Sequence, residues 1–181
     1  MIMFDQILGN ESLKEILIRL VGSGRVPNAL LFAGLDGIGK RMFAVEIARA
    51  NVCAASESRP VCGECPACVR AGQFEFPKPD DRDGHKRVIF SNHPDVGIVI
   101  ASGRQIPVDA VRDLEREAHF RPYEGRARTF IIDEADKLND AASNALLKTL
   151  EEPASTTNLI LVTSRPETLL PTIRSRCQTF R

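Results

Sequence analysis

The stretch GLDGIGKR, residues 34–41, has residue types and spacing that suit phosphate binding. It matches the pattern G-x-x-x-x-G-K-[ST] at every fixed position except the last, where Arg41 replaces the hydroxyl residue. Glycines let successive backbone N–H groups face one phosphate, and Lys40 supplies a positive charge. The missing hydroxyl removes a direct magnesium ligand, which puts binding of Mg²⁺-ATP in doubt. The candidate nucleotide-binding residues here are Gly34, Gly37, Gly39, Lys40 and Arg41.

Two acidic residues provide the second half of such a site. The stretch RTFIIDEAD carries Asp133 and Glu134 to the end of an apolar run. In a nucleotide site, an acid there binds magnesium through water and its neighbour polarises the attacking water. Taken separately, the acids fit a solvated turn and residues 34–41 fit a plain glycine turn. Their occurrence together, about 90 residues apart, favours one nucleotide site.

Four cysteines form the pattern C-x8-C-x2-C-x2-C within 16 residues. They are Cys53, Cys62, Cys65 and Cys68. Tetrahedral zinc needs four such donors, with pairs of ligands held close by short turns. A redox C-x-x-C motif would not need four ligands, and an iron–sulfur cluster remains an alternative. The spacing favours structural zinc in a small module over residues 53–70.

Alternating apolar segments must position these residues. NALLFAG (28–34) precedes the glycine loop as a buried strand, and RMFAVEIARANVCA (41–54) follows it as a helix. Further along, DVGIVI, RTFII and NLILVTS are strand-like, with helical patterns between them. Alternation of strand and helix predicts a parallel sheet with helices on both faces.

Composition restricts the class of protein. The 181 residues fit one domain, and 24 basic against 24 acidic side chains exclude a strongly basic overall charge. The N-terminus lacks a secretory signal pattern, and no apolar run is long enough for a membrane span. We therefore expect a cytoplasmic protein with cysteines in the thiol state. Cys177 is expected to be a packed thiol, and the three histidines have no partners at a useful spacing.

The motifs together resemble one known family. NALLFAGLDGIGK, CGECPAC, HPDV, IDEADKLNDAASNALLKTLEEP and LPTIRSRCQTF span most of the chain. They are similar to the clamp-loader branch of the AAA+ ATPases, the bacterial DNA polymerase III clamp-loader subunits, and within it to the delta-prime type. The resemblance implies a three-layer α/β nucleotide-binding domain over residues 1–181 with an inserted zinc module. The lid and collar domains of the family are absent from these residues, so we expect a monomeric fragment.

The resemblance also implies a function within a DNA-directed DNA polymerase holoenzyme. Such subunits place the ring-shaped sliding clamp on primed DNA, together with gamma/tau and delta subunits. Arg41 corresponds to the degenerate loop of the delta-prime type, which implies a stator whose own ATPase is absent or weak. By the family pattern, Thr163 or Ser164 senses the γ-phosphate and Arg176 of SRC is a finger for the neighbouring subunit's ATP. Without that pattern, Arg176 would be interpreted as a surface ion pair.

Two alternatives stay open at this point. The first is an ATP-hydrolysing gamma/tau-type subunit, against which Arg41 counts. The second is a zinc-dependent nucleic-acid-binding module. Zero net charge, one Tyr and no Trp count against it, because such modules interleave basic and aromatic residues.

Overall fold

The computed structural model describes residues 4–24, 26–54 and 61–181. Residues 1–3 of the predicted domain, Arg25 and residues 55–60 of the predicted zinc module lie outside this description. The helices are α1 (Glu11–Gly22), α2 (Lys40–Val52), α3 (Pro66–Ala71), α4 (Val108–Ala118), α5 (Asp140–Glu151) and α6 (Pro171–Arg174). The strands are β1 (Ala29–Ala33), β2 (Ile89–Phe90), β3 (Val96–Val99), β4 (Arg128–Ile132), β5 (Thr157–Thr163) and β6 (Gln178–Phe180). None of the helices in the described ranges has the length and apolar character needed to cross a bilayer.

The strands form one sheet in the order β2-β3-β4-β5-β1-β6. All neighbouring strands are parallel except the short edge pair β2 and β3, which is antiparallel. The predicted α/β architecture is confirmed, with a sheet that is mostly rather than wholly parallel. Because β4, β5 and β1 are adjacent and parallel, their carboxyl ends meet at one edge of the sheet. The segments that follow these three strands are therefore brought together there.

Helices cover both faces of the sheet. On one face, Phe32 of β1 packs with Phe43 and Ile47 of α2 in a buried cluster that also contains residues of α1. On the other face, strand residues such as Phe130 pack with residues of α4, α5 and α6, among them Leu114. Burial on both faces explains why the strands are continuously apolar rather than alternating.

A buried polar network ties β3 and β4 to the loop before β4. The Asp95 carboxylate is fully buried and accepts backbone N–H donors from Tyr123, Glu124 and Gly125 at 2.8, 2.9 and 2.8 Å. The Arg128 guanidinium is also buried, and its Nε lies 3.8 Å from Asp95 Oδ1. It also donates to the Glu117 backbone carbonyl at 2.6 Å and to its carboxylate at 3.0 Å. The Asp95 of HPDV is therefore a structural residue in this fold.

Replacing Asp95 with alanine should destabilise the domain strongly. The change leaves three buried N–H groups without their acceptor and removes a negative charge near buried Arg128. Breaking a buried charge pair costs roughly 3–5 kcal/mol of the free energy of unfolding. Urea unfolding of both proteins would measure it. Asp109→Ala is the control, because Asp109 is exposed and forms a surface ion pair with exposed Arg112. Equal stability of the two variants would contradict this account of the network.

Candidate functional site

A cleft of about 310 Å³ lies at the carboxyl edge of the sheet, where β1, β4 and β5 end. It gathers most of the nucleotide-site residues predicted from the sequence. Those lining it are Gly37, Gly39, Lys40, Arg41, Asp133, Glu134, Thr163 and Ser164. Gly34 adjoins the cleft, since its N–H donates to the Thr163 carbonyl at 3.3 Å. The glycine loop and the acidic strand end are thus two sides of one cavity.

The glycine loop has the backbone conformation that its sequence requires. Gly37 and Gly39 have φ angles of 82° and 89°, in the left-handed region that glycine adopts without strain. The side chain of Lys40 is only 9% exposed and folds back over the loop. Its Nζ donates to the carbonyl oxygens of Gly34 at 2.8 Å and Leu35 at 2.6 Å. A phosphate entering the loop would compete with these carbonyls for the ammonium.

Arg41 projects from the first turn of α2 onto the acidic side of the cleft. Its Nη1 donates to Asp133 Oδ2 at 3.3 Å, and its Cζ lies 5.9 Å from the ring centre of Phe76. Burial raises the pKa of Asp133, and the adjacent guanidinium opposes that rise. Magnesium does not fit this arrangement: position 41 has no hydroxyl, and Asp133 is already paired with a cation. Neither the pairing with Asp133 nor the contact with Phe76 was foreseen from the sequence.

The other acids of the cleft also have cationic partners. Glu134 is exposed, with φ 53°, and pairs with Lys137 at 2.8 Å. Asp136 accepts from Thr163 Oγ1 at 2.9 Å and from Arg165 at 2.7 and 3.1 Å. Burial alone would raise the pKa of Asp136, but these hydrogen bonds outweigh it and lower the pKa. The sequence analysis did not include Asp136 and Arg165 among the site residues. The position of Asp136, three residues after Asp133, could have indicated that it also lies at this strand end.

Arg176 lies away from this cleft, after α6. Its Nη2 donates to Glu151 Oε1 at 2.8 Å and its Nη1 to the Thr172 carbonyl at 3.0 Å. About a third of its side chain is exposed, so the guanidinium is accessible from outside. Arg176 therefore forms a surface ion pair within this chain, as expected for this residue when the family pattern is left aside.

The cysteine module brings its four sulfurs together. The Sγ atoms of Cys53, Cys62, Cys65 and Cys68 all lie within 4.8 Å of one another. The non-bonded distance between the Sγ atoms is 3.6 Å for Cys53 and Cys62 and 4.0 Å for Cys62 and Cys68. Zinc–sulfur bonds of about 2.3 Å in a tetrahedron would separate the sulfurs by roughly 3.8 Å. The donor set and spacing fit one zinc ion.

Backbone donors prepare these thiols for a cation. The N–H groups of Cys62, Cys65 and Cys68 point to the preceding sulfurs at 3.4, 3.3 and 3.5 Å. Burial acts to raise the pKa of Cys65, but backbone donors outweigh it and bring the pKa down to about 6. Burial raises the pKa of Cys68. Cys177 lies outside the cluster, and burial raises its pKa to about 11.

The module is fastened to the rest of the domain at two places. Cys53 directly follows α2, and Cys68 Sγ lies 4.0 Å from the carbonyl of Arg49 in that helix. The second place is Arg70 of α3, which forms an ion pair with Glu124 at 2.6 Å. Glu124 lies in the loop whose backbone N–H groups donate to Asp95. The cysteine centre therefore supports the end of the helix whose beginning carries Lys40 and Arg41.

Comparison with known proteins gives a consistent set of similarities. A family model described as DNA polymerase III, delta subunit, matches residues 9–82 and 78–181. The chain is 34% identical over 173 residues to the DNA polymerase III subunit gamma/tau of Mycobacterium tuberculosis, covering 96% of this chain and 27% of the relative. It is 33% identical over 166 residues to subunit delta' of Bacillus subtilis, covering 92% and 45%. The chain thus spans less than half the length of these relatives.

Solved structures agree on the fold. A DNA polymerase III gamma subunit-related protein of Thermotoga maritima matches with a TM-score of 0.61 at 22% identity, covering 92% of this chain and 44% of that one. A RuvB mutant of the same organism matches with a TM-score of 0.54 at 16% identity, covering 97% and 46%. Both share the AAA+ fold.

Proposed function

Because the chain belongs to the family described as DNA polymerase III, delta subunit, we propose that it acts as a stator subunit of a bacterial clamp loader. In this proposal it does not hydrolyse ATP itself. It supports a neighbouring subunit that does, during loading of the sliding clamp on primed DNA. The observation that carries the proposal is the contact of Arg41 with Asp133 at 3.3 Å, which puts a cation of the chain where magnesium would otherwise be needed.

The proposed partners follow from the same family. They are gamma/tau and delta subunits, the sliding clamp, and primed DNA reached through the assembled complex in the cytoplasm. Arg176 is the proposed contribution to a partner's ATP site, where a guanidinium stabilises charge developing on the transferred phosphoryl group. The guanidinium of Arg176 is partly exposed, and its hydrogen bonds to other described residues are with Glu151 and a backbone carbonyl. This supports the proposal, because surface ion pairs are weak and readily exchanged.

We assign a structural zinc ion to Cys53, Cys62, Cys65 and Cys68. The ion would cross-link the end of α2 to α3 and supply no catalytic chemistry. The four sulfurs would occupy all positions of a tetrahedral ion, which leaves none open for a substrate.

One other candidate has a specific observation in its favour. The similarity to gamma/tau at 34% identity suits an ATP-hydrolysing subunit of that type. Asp133, Glu134 and Lys40, which such a subunit needs, are all present in the cleft. The geometry of Arg41 counts against it, because hydrolysis of this kind requires magnesium between the acid and the phosphates.

ATP turnover by the full-length protein separates these candidates. The stator proposal predicts that the protein hydrolyses ATP no faster than its Lys40→Ala variant, with and without clamp and DNA. A gamma/tau subunit of the same organism, assayed in parallel, shows that the conditions support hydrolysis. Turnover well above the Lys40→Ala background would favour the gamma/tau-type function and contradict the stator.

A further inference from the structure

We propose that His93 is a pH-sensitive switch in the turn that joins β2 and β3. The neutral imidazole keeps this turn closed. Protonation opens the turn and releases the loop before β4, which is itself in contact with α3 of the cysteine module. The inference concerns the stability of the domain in acid, and it does not depend on the proposed function.

The imidazole of His93 is completely buried, and its two nitrogens have different surroundings. Nδ1 accepts a hydrogen bond from the backbone N–H of Asp95 at 3.2 Å. Nδ1 is therefore unprotonated, which places the one proton of the neutral ring on Nε2. Nε2 lies 3.6 Å from Glu124 Oε2 and has no hydrogen-bond partner among the described residues. The closed turn thus selects one tautomer of the neutral ring.

A second proton on the ring does not fit the closed turn. It would have to bind to Nδ1 of His93, where it would point at the backbone N–H of Asp95. The turn would lose this hydrogen bond and bring two donors together. Burial adds a further cost, because no water reaches the ring to solvate its charge. The charged imidazole is therefore stable only in an open turn.

The charged groups near the imidazole do not compensate for this cost. They are Asp95 in the same turn, Glu124 in the loop before β4 and Arg70 in α3. The Asp95 carboxylate already accepts three backbone N–H donors and lies 3.8 Å from Arg128. Glu124 already pairs with Arg70 at 2.6 Å. Burial outweighs the attraction of the two acids and lowers the pKa of His93 below its ordinary value of 6.5.

The turn around His93 also holds Asp95 in place. The His93 N–H donates to Ser91 Oγ and the Ser91 hydroxyl donates to the His93 carbonyl, both at 3.1 Å. The Val96 N–H donates to the same carbonyl at 3.2 Å. If the imidazole moves out to water, these bonds break and the adjacent Asp95 shifts. The N–H groups of residues 123–125 then lose their acceptor.

The direction of the pH effect follows from the lowered pKa. In the open turn the imidazole is in water and takes up a proton at its ordinary pKa of 6.5. Because the closed turn binds that proton less well, the closed form is fully stable above pH 6.5 and loses stability as the pH falls below it. Each pH unit favours the open turn by up to about tenfold, until the pKa of the closed form is reached.

NMR of the full-length protein tests the tautomer and the titration directly. Long-range ¹H–¹⁵N spectra at about pH 7.5 should show the His93 ring with Nε2 protonated and Nδ1 unprotonated. The same ring should titrate below pH 6.5. A proton on Nδ1 of the neutral ring, or titration at or above pH 6.5, would overturn the inference.

Amide hydrogen exchange of the same protein tests the opening of the turn. Between about pH 7.5 and about pH 5, the protection of the amides of residues 123–125 should fall about tenfold or more after correction for intrinsic rates. His93→Asn offers an oxygen acceptor in place of Nδ1 and cannot be protonated, so its protection should not fall. His119→Asn, a change at an exposed histidine, is the matched control and should behave like the unmodified protein.

Loss of metal in acid is separated from this effect by the same comparison, because His93→Asn retains all four cysteines of the module. An equal loss of protection in the unmodified protein and in His93→Asn, or no loss in either, would contradict the proposed switch. The NMR titration uses the unmodified protein alone, so the inference remains testable if His93→Asn folds poorly. Neither experiment involves ATP or a partner subunit, so their outcome is independent of the stator proposal.

Discussion

Replacing Cys68 with serine should abolish binding of the proposed zinc ion and unfold the cysteine module. Cys68 is fully buried against α2, and its sulfur is one of four within 4.8 Å. Structural zinc in small modules contributes apparent binding free energies of roughly 10–16 kcal/mol at pH 7, and much of this is folding free energy. The sheet has its own apolar core, so we expect α3 to lose its structure while the sheet remains folded.

Metal analysis of protein purified without added zinc measures the first part of this prediction. The unmodified protein should contain close to one equivalent of zinc and the Cys68→Ser variant close to none. Cys177→Ser is the matched control, because Cys177 is a partly buried thiol outside the cluster, and its zinc content should not change. Amide hydrogen exchange in α3 should become fast only in the Cys68 variant. Iron with a visible absorption band, or no metal at all, would contradict the zinc assignment.

The clustering of the four cysteines could be predicted because the residues that determine it lie close together in the sequence. Three of the four candidate ligands are Cys62, Cys65 and Cys68. The short turns between them hold the sulfurs close, independently of the fold of the rest of the chain. The strand, glycine loop and helix around Lys40 were predictable for the same reason. Each is specified by residue types within a few positions, and the structure contains all of them.

Contacts between distant segments could not be predicted in this way. Arg41 and Asp133 are 92 positions apart, and although their motifs predicted that both lie in one site, nothing near either residue indicates that the guanidinium pairs with the carboxylate. The same holds for buried Asp95 and Arg128, each of which has the ordinary appearance of a surface charge in the sequence. Their pairing depends on the adjacency of β3 and β4, which is a property of the sheet.

The shortest strands were also missed. Strand β2 has two residues and β6 has three, too few for a period of two to be recognised. Both lie at the edges of the sheet, where their neighbours β3 and β1 determine the pairing. Edge strands of this length are defined by the sheet that they join rather than by their own sequence.

Replacing Arg176 with alanine should slow ATP hydrolysis at a neighbouring subunit's site without unfolding this domain. Within the part of the chain that the structure describes, the guanidinium donates hydrogen bonds to Glu151 and to the Thr172 carbonyl and is partly exposed, so its loss should cost little stability. A finger acts on charge in the transition state, so the partner's affinity for ATP should change much less than its rate. Fingers of this kind are worth roughly 10³ to 10⁵ in rate at a single site.

The measurement that tests the stator proposal most directly is single-turnover hydrolysis at that one neighbouring site. It uses a reconstituted clamp loader, with full-length protein, in which only the subunit beside this chain keeps a functional phosphate loop. Arg174→Ala, a change at another exposed arginine two residues earlier, is the matched control. The stator account predicts a rate at least about 10³ lower for Arg176→Ala, an unchanged rate for Arg174→Ala, and intact assembly for both. An unchanged rate for Arg176→Ala in an assembled complex would show that SRC is structural here and would contradict the account.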